Sequence, residues 1–259
     1  MKLKIKVTTV LKGVSLCVFA LIFALLCGAR ALILTDDTLS PQLAQSRWQN
    51  GELRYAQISA FMTDDVKFSY NSIRAFRSTL ETKLDEASIK ADSEDSKLYT
   101  DAYSAQGTIS ASTDRASANS ISVTAVGGDF FTIHNLRLLD GSYFQPDDIN
   151  GDGVVIDDVL SWQLFGSYDV AGLLIYINSE PFTVTGVAAR EYGGDFNLAY
   201  TDKPHMYMPF DTYARLAGET SVTCYEILIP DPISDFGMKL VKDNLGASAD
   251  GTVYVENSS

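Results

Sequence analysis

Basic residues are scarce beyond the first 34 positions of this 259-residue chain. Five of its 20 Lys and Arg lie before that point (Lys2, Lys4, Lys6, Lys12 and Arg30), leaving 15 to face all 33 Asp and Glu. The whole chain carries −13 at pH 7, and residues 35–259 alone carry −18. A surface so short of cations cannot neutralise a phosphate backbone, which excludes nucleic acid as a partner. Histidine is almost missing: His134 and His205 are the only two. A nucleophile–base pair needs one of them beside an activated Ser or Cys and an orienting acid. There is no G-x-S-x-G elbow, and both histidines sit among aromatic and strand residues, so both are read as structural. Also lacking are H-E-x-x-H, a Cys/His ligand cluster and a Walker or dinucleotide glycine spacing. No catalytic, cofactor-binding or metal-binding residue is therefore assigned, no cofactor is expected, and the chain is read as a non-enzyme. Chance carboxylate pairs among 33 acids carry no weight.

Cysteine is the next shortage. Cys17 and Cys27 lie inside a hydrophobic segment, leaving Cys224 without a partner for a disulfide in the rest of the chain. That rest must be held by core packing. Cys224, in Ser221-Val-Thr-Cys-Tyr-Glu-Ile-Leu-Ile229, reads as a buried strand residue with no basic group or His nearby to stabilise a thiolate.

Long apolar runs are also few, and the one present is informative. Gly13 to Ala29 is uncharged, and with Val7, Val10, Leu11 and Ala31–Leu34 it supplies roughly 20 apolar residues, enough to span a hydrocarbon core. The basic amino-terminal flank and acidic downstream chain put the N-terminus in the cytoplasm and residues 35–259 outside. Arg30 can snorkel to the headgroups. Two rivals stay open: a signal peptide cleaved after Ala31 in the small-x-small pattern Ala29-Arg30-Ala31, and, less well matched because Leu26 precedes it, a lipoprotein site at Cys27. All three readings export residues 35–259. The division expected is a cytoplasmic foot and anchor over 1–34 and an extracytoplasmic domain over 35–259.

Within the outer part, Tyr55–Met62 alternates as a strand. Residues 71–90 predict a helix whose Ile73, Phe76, Leu80, Leu84 and Ala87 form one apolar stripe, with Arg77 and Glu81 spaced for a helical ion pair. Nothing on its polar face is expected to form a site. A polar loop over 92–97, strands at 103–112 and 120–126, and a tight turn at Gly127-Gly128 follow. Val154–Ile156 reads as a short buried strand, capped by Asp157 or Asp158 into a helix over 159–165 that Gly166 stops. Strands at 173–178 and 181–187 form a hairpin. A loop with Gly193-Gly194, strands at 205–210, 224–230 and 251–255, and a helix at about 234–245 complete the chain. Strands and helices do not alternate regularly, so an α+β arrangement of two subdomains is expected rather than a doubly wound sheet.

One local pattern suggests a metal. Asp148-Ile-Asn150-Gly-Asp152-Gly153 matches the first half of a calcium loop, but its closing position 12 is Val159, so only Asp157 or Asp158 could complete the shell. A calcium-dependent surface binding module is the alternative function this leaves; an acidic turn feeding the Val154 strand is the simpler reading.

A set of short pieces occurs in a recognisable order: Val126-Gly-Gly-Asp-Phe-Phe131, Leu138-Leu-Asp-Gly-Ser-Tyr-Phe144, Val154-Val-Ile-Asp157, Trp162-Gln-Leu-Phe-Gly166, Asp169-Val-Ala-Gly172 and Phe182-Thr-Val-Thr-Gly-Val187. Together they resemble the MacB-like periplasmic core domain of bacterial ABC-transporter permeases of the FtsX-like kind, with residues 120–195 the most similar part. The resemblance implies a mixed α/β domain following a first membrane helix. It implies a role in coupling movement driven by ATP hydrolysis to export or to activation of a partner. It brings no catalytic residue with it. The expected partners are a separate ABC ATPase, other permease subunits or spans, and the membrane. In one respect the sequence departs from the pattern: no second apolar run of membrane length follows Val187. A fragment, a truncated product or an accessory subunit is the expectation that this departure raises.

Overall fold

The computed structural model describes residues 44–48, 53–63, 67–91, 97–145, 151–190, 203–218, 220–245 and the backbone of 253–257. They belong to one compact unit, Ser40–Ser259. The hydrophobic segment read as an anchor, the Gly193-Gly194 loop, and Asp148 and Asn150 lie outside the described residues. Among the described residues no helix is long and apolar enough to cross a membrane.

The first ordered strand, β1 (Tyr55–Met62), coincides with the sequence reading; Ala56, Ile58, Ala60 and Met62 enter the core, while Phe61 turns outward. After it comes α2 (Tyr70–Glu86), preceded in the chain by the single turn α1 (Ala44–Arg47). Ser69 caps α2 in a box with Ser72: the Ser72 N–H donates to the Ser69 hydroxyl at 3.3 Å, and the Ser69 N–H to the Ser72 hydroxyl at 3.4 Å. The predicted stripe is buried at Ile73, Phe76, Leu80 and Leu84. Ala87 instead is the exposed C-cap, because the helix stops one residue before it.

Two long strands, β2 (Thr100–Ser112) and β3 (Ser117–Gly128), pair as a hairpin in the middle of the sheet. The short α3 (Phe130–Ile133) and edge strand β4 (Leu138–Gly141) come next; each is four residues, too short for its periodicity to stand out. β5 (Gly153–Asp157) then leads into α4 (Asp158–Phe165) as expected. Asp157 is the cap, accepting the Leu160 N–H at 2.7 Å, and Gly166 ends the helix at φ 68°. The hairpin of β6 (Leu174–Ile177) and β7 (Glu180–Ala188) closes through Asn178 and Ser179, both at positive φ, as a two-residue primed turn requires.

The remaining elements are β8 (His205–Pro209), α5 (Phe210–Ala217), β9 (Cys224–Pro230), α6 (Phe236–Asn244) and β10 (Val253–Asn257). Helix α5 is a departure from the sequence reading, which ended the strand at Phe210. Phe210 and Tyr213, three apart, face the core, and Asp211 lies in the first turn. That helical spacing was present in the sequence but masked by the strand before it.

The sheet order is β10-β1-β9-β2-β3-β8-β5-β7-β4, with β6 joining β2 to β7. Pairing is antiparallel except for β3 with β8 and β5 with β7. The two subdomains expected from the sequence are thus corrected to one continuous sheet, because β2 and β3 are long enough to pair with strands on both sides. Helices α2 and α6 cover β1 and β9, where Phe76 meets the fully buried Tyr225 ring edge-on at 5.6 Å. At the outer side of that region β10 lies antiparallel to β1, with Ile58 opposite Asn257.

Candidate functional site

The quoted sequence pieces interlock in space. The half-buried Asp140, in the Leu-Leu-Asp-Gly stretch, accepts through its carboxylate the N–H groups of Val170 and Ala171, each at 2.8 Å. These two backbone bonds hold its pKa below the ordinary carboxylate range. Across β4 and β7, Gly186 lies so close to Ser142 that a Cβ on it would stand 2.6 Å from the Ser142 carbonyl oxygen. Phe131 stacks on Tyr143 at 4.3 Å, joining α3 to the chain after β4. Short, separately weak motifs are therefore one packing unit.

Asp157 does more than cap α4. Its Oδ2 accepts from Arg190 Nε at 2.6 Å and from the His205 N–H at 2.9 Å, while Arg190 Nη2 donates to the Lys203 carbonyl. Burial raises the Asp157 pKa, outweighing the Leu160 N–H and Arg190. His205 lies in the same buried cluster. Burial, aided by the Arg190 charge, lowers its pKa to about 4, so the ring is neutral at pH 7. Its Nε2 is 3.0 Å from the Thr124 hydroxyl, whose hydrogen is directed to Gln106 Oε1 at 3.3 Å. His134 stacks on Phe130 with centroids 4.1 Å apart and shares a hydrogen bond with Glu226, which also accepts from Ser59. Both histidines are tied into strand packing. Burial pushes the Cys224 thiol well up, leaving it protonated.

Of the calcium-loop residues, Asp152 is exposed and Asp157 is committed to Arg190, His205 and the helix cap. Among the described residues no group of His, Cys, Asp and Glu could hold a metal ion.

The polar face of α2, from which no site was expected, lines a cleft with a volume of about 850 Å³. The expected Arg77–Glu81 pair is not formed. Arg77 instead reaches off the helix to Asp101 on β2, Nε to Oδ2 at 2.7 Å and Nη2 to Oδ1 at 2.9 Å. The Tyr225 hydroxyl donates to the same Asp101 Oδ2 at 2.7 Å. Burial works against the Arg77 charge, but the Asp101 bond and charge outweigh it and hold the guanidinium firmly protonated. Glu81 accepts from the Tyr99 hydroxyl at 3.3 Å. At the cleft floor, Asp129 accepts from Lys97 at 2.6 Å and Thr100 at 2.7 Å; these bonds overcome the burial of the carboxyl and lower its pKa. Gly128, at φ 67°, bends the chain there, and a Cβ on it would stand 2.5 Å from the Asp101 carbonyl. The local α-helical spacing made Arg77–Glu81 the obvious sequence reading; Asp101 is 24 residues away and joins only through the sheet.

Residues 9–236 match the family described as the MacB-like periplasmic core domain. The macrolide export ATP-binding/permease protein MacB of Chromobacterium violaceum is 34% identical over 116 residues, 42% of this chain and 17% of that protein. The protein of the same description from Agrobacterium fabrum is 32% identical over 140 residues, 52% of this chain and 21% of that protein. The matched segments thus span about a fifth of these relatives. Among solved structures, the periplasmic region of MacB from Actinobacillus actinomycetemcomitans superposes with a TM-score of 0.53 at 18% identity, covering 78% of this chain and 88% of that one. The extracellular domain of the noncanonic ABC-type transporter YknZ from Gram-positive bacteria gives 0.51 at 16% identity, covering 76% and 99%. At these identities the likeness is one of fold. The family match runs from residue 9 to the start of α6, and its most recognisable motifs form one packed unit: the chain belongs to the family of MacB-like periplasmic core domains.

Proposed function

We propose that residues 35–259 are a non-enzymatic extracytoplasmic domain of an ABC-transporter permease assembly, anchored through residues 1–34 with the N-terminus in the cytoplasm. In this reading the domain couples movement driven by a cytoplasmic ATPase to export of a substrate or activation of a partner. The observation that carries it is the family match together with the placement of β1 and β10. Ile58 lies opposite Asn257, so the strand that enters the sheet and the strand that leaves it are neighbours at one end. Displacement delivered at that end acts on a sheet that is continuous to β4. Close-packed interiors transmit such displacement with little compression. Arg77–Asp101–Tyr225 and Asp157–Arg190 tie helix to strand and strand to loop along the way.

The test is purification of the full chain from intact membranes in mild detergent. Co-purification of an ABC ATPase and a multi-span membrane protein, lost when the 1–34 segment is replaced by a cleavable secretion signal, is the expected result. A chain that comes out of the membrane alone, with no such association in cross-linked cells, would overturn the reading.

A further inference from the structure

The cleft between α2, the start of β2 and α5 has the size of a small-molecule site and a lining that selects by charge. Its volume, about 850 Å³, falls in the range of ligand pockets. Two tyrosine rings form an aromatic wall: Tyr70, 43% exposed, lies 5.8 Å from the mostly buried Tyr103, which is itself braced edge-on by Phe210 at 5.3 Å. A half-exposed ring held against a fixed one offers a preformed face to a ligand.

The charges of the lining are unequal. Among the described lining residues the two cations are each held on a carboxylate within the cleft, Arg77 on Asp101 and Lys97 on Asp129. Three further carboxylates, Glu81 and Asp85 of α2 and Asp211 of α5, have no cation left among the described lining residues to balance them. Asp85 has Lys90 at 3.9 Å, between two side chains that are both more than 70% exposed, where attraction is weak. Glu81 takes a hydrogen bond from Tyr99, a neutral donor that fixes the carboxylate without cancelling its charge. Electron-rich ring faces and surplus carboxylates attract the same kind of ligand.

We infer that this cleft binds an organic cation, an amine or quaternary ammonium with an apolar body, the cationic centre lying between the Tyr70–Tyr103 wall and the carboxylate of Asp211. Affinity arises from cation–π and ion-pair attraction together, and an anion of the same size is repelled. The site requires no partner of the permease assembly, so its test is independent of co-purification.

The experiment is calorimetric titration of the detergent-solubilised full chain with three probes that share one ring and differ in charge: benzyltrimethylammonium, benzyl alcohol and benzoate. Benzyltrimethylammonium should bind saturably, with benzyl alcohol weaker by about tenfold and benzoate not bound. Tyr70→Ala and Asp211→Asn, both at exposed positions, should each weaken the cation by about five- to tenfold with the melting temperature unchanged. Absence of saturable binding by benzyltrimethylammonium would overturn the inference. So would equal binding of benzoate, or cation binding that neither variant reduces.

Discussion

Arg77 of α2 grips both carboxylate oxygens of Asp101 on β2, and the hydroxyl of the fully buried Tyr225 on β9 closes the third side of the same carboxylate. One acid thus fastens a helix to two adjacent strands. Removing one partner leaves a nearly buried charge short of donors, which costs more than the intact pair contributes. Arg77→Met should destabilise the domain by about 2 to 3 kcal/mol and Tyr225→Phe by about 1 to 2 kcal/mol. Because both act on Asp101, the double variant should fall short of the sum by at least about 0.5 kcal/mol in urea unfolding. Strict additivity would show that the two contacts are not coupled.

Asp157 separates capping from charge pairing. Asp157→Asn keeps an oxygen for the Leu160 N–H but presents no charge to Arg190, and should cost about 2 kcal/mol. Asp157→Ala loses both and should cost about 4 kcal/mol. Equal losses for the two variants, measured by chemical denaturation, would mean that the cap carries no weight.

Acid should weaken the fold through His205. Its pKa is lowered to about 4 in the folded protein, against about 6.5 in an unfolded chain. Between those values the unfolded state binds more protons, so stability is full above about pH 6.5 and falls as pH drops towards 4, by roughly 3 kcal/mol in all. Asp157, with its pKa raised by burial, acts in the opposite sense as pH rises above its ordinary value. The comparison with His205→Gln isolates the histidine: the variant should lack the part of the acid slope that the native chain shows between pH 6.5 and 4. Parallel curves would contradict the assignment.

One substitution should stabilise. Ser179, the second turn residue between β6 and β7, sits at φ 68°, a conformation that strains any residue carrying a Cβ. Ser179→Gly relieves that strain in a turn whose preferred pair is Asn-Gly, and Asn178 already supplies the first half. A gain of about 0.5 to 1 kcal/mol in thermal unfolding is expected.

Much of the architecture was legible in the sequence because it rests on local rules. The alternation of Tyr55–Met62, the stripe from Ile73 to Leu84, the Asp157 cap with its Gly166 stop and the Asn178 turn each need only neighbours within one element. What was not legible depends on partners far along the chain. Arg77 prefers Asp101 to the nearby Glu81 because the bidentate geometry in a nearly buried site is stronger than an exposed helical pair. Helix α5 was hidden because Phe210 continues the apolar run of β8 and only Tyr213, three residues on, reveals the change of period. The expectation of two subdomains failed for a related reason: β2 begins three residues before the strand read from the sequence, and those residues, Thr100 to Ala102, pair with β9, while β3 pairs with β8 through Ser122 to Val126.

The pairing of Ile58 with Asn257 also decides how the domain would yield to force. Tension applied between Tyr55 and Asn257 pulls two antiparallel neighbours apart from the same end, so the hydrogen bonds between β1 and β10 are loaded one after another, like a zipper, and not in parallel shear. Peeling β10 away leaves β1 still bonded to β9 over seven residue pairs and the rest of the sheet intact. Loads too small to peel β10 therefore reach the whole sheet, while larger ones are taken first by the five-residue β10.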